Sequence, residues 1–177
     1  KIVVKHEAQA YSGSHKINNA IVHAMIAKAT NKKEICGDTG AGYAGSALAI
    51  AASLFGLKAK IFMGQHDIER QKIQVFRMRS LGAEVIPCHQ GQKTLVEAVS
   101  SCIRYYTANC DRVHMCVGSC VSSTIWVKIC AWAQSIIGKE MEEQMIDMFG
   151  KVPNKLNIVC AIGGGSSSYG TFNNFID

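Results

Sequence analysis

Apolar positions along the chain follow two periods in turn, and that alternation predicts the architecture. Ile17, Ile21 and Met25 recur at i, i+4 and i+8, which predicts a helix over 16–28 with Ser14 placed to cap it. Residues 34–36 read as a short strand, and 44–55 as an alanine-rich helix that Gly56 ends. A strand over 58–63 precedes a helix over 67–81, which Asp67 opens and Gly82 closes. Glu84–Cys88 is the next strand. Thr94-Leu-Val-Glu97 is a capping box that starts a helix reaching to 106. A strand over 113–117 follows, then helices over 126–137 and 139–148 with Gly138 between them. Last comes an apolar strand over 156–162 that runs into Gly163-Gly-Gly165. Strands separated by helices of this length predict an α/β fold, with parallel sheets covered by helices on both faces. The chain has two prolines and carries no flexible linker, internal repeat or low-complexity tract.

Composition narrows the class. Apolar residues at 48% against 18% charged exclude intrinsic disorder. The 177 residues suit about one domain. The first residue is not Met and the chain stops at Asp177, so the expectation is a fragment or processed piece. The opening segment has no apolar stretch of signal-peptide type, and no run approaches the length of a membrane span. The net charge of +6 mildly favours anionic ligands, but Lys32-Lys33 is the densest basic pair and argues against nucleic acid. Eight cysteines without a C-x-x-C pair read as core thiols of a reducing compartment, with no metal site.

Three motifs carry chemistry. In Gly13-Ser-His-Lys16-Ile-Asn-Asn19, Lys16 lies in the first turn of a predicted helix. A cation there opposes the helix dipole by about 0.3–1 kcal/mol, and the same field favours the neutral amine that Schiff-base chemistry needs. By position alone Lys16 also reads as a surface lysine. The second motif, Cys36-Gly-Asp-Thr-Gly-Ala-Gly-Tyr-Ala-Gly45, follows a strand and opens a helix. It contains G-x-G-x-x-G, but the next strand ends Phe62-Met63-Gly64 without the acidic residue a dinucleotide site needs. An anion site of backbone N–H groups survives, with Asp38 either orienting a ligand or serving as a turn residue. The third, Gly163-Gly-Gly-Ser166-Ser-Ser168, reads as a phosphate cradle or as a flexible linker. An amine, a carboxylate-binding turn and a phosphate cradle together match pyridoxal phosphate and an amino-acid substrate.

With those motifs in place, the chain resembles the tryptophan synthase beta subunits, a family of fold-type II pyridoxal-phosphate enzymes. The stretches that carry the resemblance are Gly-Ser-His-Lys16-Ile-Asn-Asn, Asp-Thr-Gly-Ala-Gly42, Asp67-Ile-Glu-Arg-Gln71, Val75-Phe-Arg-Met-Arg79, Leu81-Gly-Ala-Glu-Val-Ile-Pro87, Thr94-Leu, Ile137-Gly and Gly-Gly-Gly-Ser166. The resemblance implies a three-layer αβα architecture with an incomplete second domain. Residues 1–30 and 119–133 would belong to an N-terminal cofactor domain, 31–118 to a mobile domain, and 134–177 to the start of a C-terminal domain. Lys16 would bind the cofactor, then act as base at the substrate Cα and as acid on the leaving hydroxyl. His15 and Ser119 would contact the cofactor, and Gly163, Gly164, Gly165, Ser166 and Ser167 would hold its phosphate. Thr39, Gly40, Ala41 and Gly42 would bind the substrate carboxylate, with Tyr43 and Ala44 beside them. The implied reaction joins L-serine and indole into L-tryptophan and water in a cytoplasmic homodimer joined by alpha subunits, and the isolated piece is expected to be inactive.

Three departures from the family pattern fall on the site. Asp38 stands where the family has its catalytic Glu, a reach shorter by one C–C bond, about 1.5 Å. Tyr43-Ala44 replaces Gln-His, and Ser122-Ser-Thr-Ile125 replaces a Gly-Pro-His-Pro loop. Serine or threonine β-elimination on the same scaffold, or a non-catalytic partner-binding homologue, are therefore the competing expectations.

Overall fold

The computed structural model describes residues 1–176 and divides into two compact units. The first comprises residues 7–116 and is built on four parallel strands, β1 (Glu34–Thr39), β2 (Lys58–Gly64), β3 (Glu84–Cys88) and β4 (Val113–Met115), in the order β3-β2-β1-β4. Five α-helices accompany them, after a short 3-10 turn over Glu7–Gln9: α1 (Lys16–Ala29), α2 (Tyr43–Phe55), α3 (Gln65–Arg70), α4 (Lys72–Ser80) and α5 (Leu95–Asn109).

Strand alternation assigns the faces. On β1 the Gly37 side meets α2, where a Cβ on Gly37 would lie 2.8 Å from Leu48 Cδ2. Cys36 points the other way, with its Sγ 3.8 Å from that of Cys102 on α5. Asp38 shares the Cys36 face by the same period. On β2, Phe62 packs against Tyr105 of α5 with ring centroids 5.5 Å apart and the planes tilted by 46°. The parallel α/β expectation therefore holds, with helices on both faces of the sheet.

Local detail departs from the sequence expectation in instructive places. The α1 stripe that is buried is Ile17, Ala20, Ala24 and Ala27, with Asn19 and His23 beside it, whereas Met25 is exposed. Small residues win that face because α1 packs closely on the alanine-rich α2. Ser14 does not cap α1; the N-cap is His15, and no side-chain cap bond forms. The helix expected over 67–81 is two helices that meet at Gln71, whose φ of −113° and ψ of 40° leave the helical region. The break frees α4 to turn Val75 and Met78 inward while α3 buries nothing. The capping box at Thr94 forms as read.

The second unit comprises Lys1–His6 and residues 117–176. Its helices are α6 (Thr124–Gln134), α7 (Ile136–Phe149) and α8 (Ser166–Phe172). The break between α6 and α7 falls at Ser135, not at Gly138. Gly138 lies inside α7 because α8 crosses there: a Cβ would sit 2.9 Å from the Gly170 carbonyl oxygen. The strand expected over 156–162 does not form: these residues carry no regular secondary structure, with Val159 95% and Ile162 75% exposed. A buried-type strand needs neighbours on both sides to complete its ladder, and none is described in this unit. No helix among the described residues is long and apolar enough to cross a membrane.

Candidate active site

The first two motifs converge within the first unit. Lys16 begins α1, and a Cβ on Gly13 would lie 3.6 Å from the ring of Tyr43, the first residue of α2. Asp38 lies on β1, one residue before its end. Burial pushes its carboxyl above the ordinary aspartate range, while a backbone hydrogen bond and the Lys16 charge pull it back. His15 is lowered to about 4, first by burial and then by Lys16, so at neutral pH it is an uncharged ring beside an amine. An amine, a neutral imidazole and a carboxyl that holds its proton unusually well form a set able to move protons on a bound amino acid.

The turn over residues 39–42 is built to present backbone donors. Gly42 takes φ of 89°, a left-handed conformation that suits glycine, and caps α2 without a side chain. Its N–H donates to Thr39 Oγ1 at 3.1 Å, and its carbonyl accepts from Ser46 N–H at 2.9 Å. Thr39 is thus committed inside the turn and braces it. The Tyr43, Ala44 and Gly45 amides open α2 and have no acceptor in their own helix. They are the donors that Tyr43 and Ala44 retain although their side chains differ from the family pattern.

Around Lys16, the Ser14 Oγ is buried without a hydrogen-bond partner among the described residues. A primary amine two residues from an orphaned hydroxyl fits a ligand that bears an aldehyde and further polar groups.

The third motif lies in the second unit. Gly165 takes φ of 85° and precedes α8, and a Cβ on Gly163 would meet nothing within 4 Å. The loop after β4 is stitched to it: Cys120 N–H donates to the Gly164 carbonyl at 2.7 Å and Ser119 Oγ at 3.0 Å. Ser119 Oγ also accepts from Val121 N–H at 3.1 Å. Ser166 is buried at the helix start, and Ser167 Oγ lies 3.4 Å from Cys160 Sγ. A braced glycine turn with an open Gly163 at a helix start fits a phosphate.

Sequence reasoning missed Gln74 and Ser46. Ser46 Oγ donates to Gln74 Oε1 at 2.7 Å behind the glycine turn. No motif marks Gln74, because the helix break at Gln71 decides which way it faces.

Comparison with known proteins gives consistent relatives. The family model described as pyridoxal-phosphate dependent enzyme matches residues 1–177. The chain is 44% identical over 177 residues to the tryptophan synthase beta chain of Anoxybacillus flavithermus. It is 42% identical over 177 residues to that of Bacillus pumilus. Both matches cover 100% of this chain and 44% of the relative, so the chain spans less than half of their length. Among solved structures, cysteine synthase from Entamoeba histolytica has a TM-score of 0.69 at 22% identity, covering 90% of this chain and 43% of that one.

Proposed function

The chain belongs to the pyridoxal-phosphate-dependent enzyme family, and from that premise we propose that the protein containing it joins L-serine and indole to give L-tryptophan and water. The observation that carries this reading is the grouping of Lys16, His15, Asp38 and the glycine turn in one unit of a chain 44% identical to a tryptophan synthase beta chain. Bound pyridoxal phosphate supplies an electron sink that acidifies the Cα–H of an attached amino acid.

The chain's own residues do the rest. Lys16 would hold the cofactor through its amine and, once the substrate amine has taken its place there, the freed amine would take the proton from the serine Cα and return it to the departing hydroxyl. His15, uncharged at neutral pH, would contact the cofactor beside Lys16. The turn over residues 39–44 would hold the substrate carboxylate with those of its backbone N–H groups that point outward, while the Gly42 N–H stays committed to Thr39 Oγ1. Gly163, Gly164, Gly165, Ser166 and Ser167 hold the phosphate, with Ser119 bracing Gly164. Asp38 accepts a proton as indole adds, a role its raised pKa suits.

In this reading residues 1–30 and 119–133 belong to the cofactor domain, 31–118 to a mobile domain that closes to exclude water, and 134–177 to the C-terminal domain. The assembly is a cytoplasmic homodimer joined by alpha subunits. Serine or threonine β-elimination is the second reading. Asp38 favours it, because a carboxyl withdrawn by about 1.5 Å weakens indole addition but not loss of the hydroxyl.

The test uses the full-length protein. Added pyridoxal phosphate produces a visible absorbance band that Lys16→Ala removes, and serine with indole yields tryptophan. Absence of the band in wild type refutes both enzyme readings. Pyruvate and ammonia without tryptophan leave elimination in place and refute the synthase.

A further inference from the structure

We propose that Gln74 is a positioning residue for substrate-carboxylate binding, holding the glycine turn in register from the adjacent helix α4. The inference rests on residues 39–44 being the carboxylate turn.

Gln74 touches that turn in two ways. Its aliphatic stem lies flat on Gly42: a Cβ there would be 2.4 Å from Gln74 Cβ and 2.8 Å from its Cγ. Its Oε1 accepts from Ser46 Oγ at 2.7 Å, and Ser46 is fully buried at 0% exposure. Ser46 N–H in turn donates to the Gly42 carbonyl, so one residue links Gln74 to the peptide that joins Gly42 to Tyr43.

Met78, one turn further along α4, makes the apolar half of the same clamp. A Cβ on Gly45 would lie 2.4 Å from its Sδ. Two side chains of one short helix therefore seat the first turn of α2. The rotation of that turn decides where the Tyr43, Ala44 and Gly45 amides point, and hydrogen bonds weaken steeply as their angle falls. Gln74 reaches no reacting atom; it acts through the geometry of Gly42 and Ser46. Loss of its Oε1 also strands the Ser46 hydroxyl in the core, which relaxes the turn rather than leaving it in place.

The experiment compares wild type, Gln74→Leu and Ser46→Ala in the full-length protein loaded with pyridoxal phosphate. Both variants are expected to raise KM for L-serine about 5–10-fold, the size of one lost buried hydrogen bond, with kcat changed much less. The cofactor absorbance is expected to persist. The double variant is expected to be little worse than either single one, since both break the same link. Amide exchange is expected to quicken over residues 40–46 and not across β1. Unchanged exchange there overturns the proposal whether or not the protein uses serine. So does an unchanged KM, or a fall in kcat alone. If wild type binds no serine while the variants still quicken exchange over 40–46, the clamp stands and the proposed reaction falls.

Discussion

Acid sensitivity of the first unit follows from a buried pair of imidazoles. His23 on α1 is 0% exposed and His114 on β4 is 7% exposed, and their Nδ1 and Nε2 atoms lie 2.8 Å apart. One nitrogen donates to the other, which requires the accepting ring to be neutral. Burial first, and then the charge of Lys32, lower His114 from 6.5 to about 4. A lowered histidine binds its proton more weakly in the folded chain than in the unfolded one. Stability is therefore complete above the unfolded value of 6.5 and falls as pH drops towards 4. Across the whole window the loss reaches about 3 kcal/mol, and between pH 7 and pH 5 it is about 2 kcal/mol. The assay is urea unfolding of the full-length protein at those two pH values, with and without His114→Gln, which keeps a hydrogen-bonding group but cannot titrate. The variant is expected to lose about 2 kcal/mol less than wild type over the same interval. Equal slopes for the two proteins would refute the reasoning, because the acid sensitivity would then reside elsewhere.

Other consequences are as direct. Gly45→Ala puts a methyl group 2.4 Å from Met78 Sδ and 3.0 Å from Ile61 Cγ2 and Thr39 Cγ2, and overpacking of this kind costs about 1–3 kcal/mol. The measurement is the loss of thermal stability and its partial recovery with Met78→Ala. Tyr105 donates to Glu34 Oε1 at 2.5 Å and Arg112 forms an ion pair with Glu34 Oε2 at 3.6 Å, so Tyr105→Phe, which removes the donor, is expected to cost about 1–2 kcal/mol in urea unfolding. Asp38→Glu is expected to raise tryptophan formation relative to pyruvate, by product analysis; an unchanged ratio rejects reach as the defect. The acid limb of tryptophan formation against pH is expected to lie above the ordinary aspartate range, since Asp38 must be ionised to accept the indole proton, and Asp38→Asn is expected to lower tryptophan formation at every pH with no such limb in what activity is left.

Much of the fold was legible from local chemistry. Glu84–Cys88 matches its strand, and the Thr94 capping box forms because Glu97 and Thr94 reach each other within one turn. The errors share one cause, namely contacts made at long range. Periodicity put Met25 inward, but α2 selects the alanines of α1. Gly138 reads as a helix stop, yet it is where α8 crosses α7.

The same division holds for the site. Sequence alone placed the candidate groups: an amine at Lys16, a carboxyl at Asp38, and two glycine turns at helix starts, because residue type and spacing along one strand or turn suffice for these. Tertiary structure decided what those groups are worth. Burial raises Asp38 and neutralises His15. The helix break at Gln71 brings Gln74 and Met78 onto a turn some thirty positions away, with Ser46 bonded to Gln74 28 residues further along the chain. Desolvation and side-chain packing depend on neighbours that are distant along the chain, and such neighbours exist only once the sheet and its helices have closed on one another.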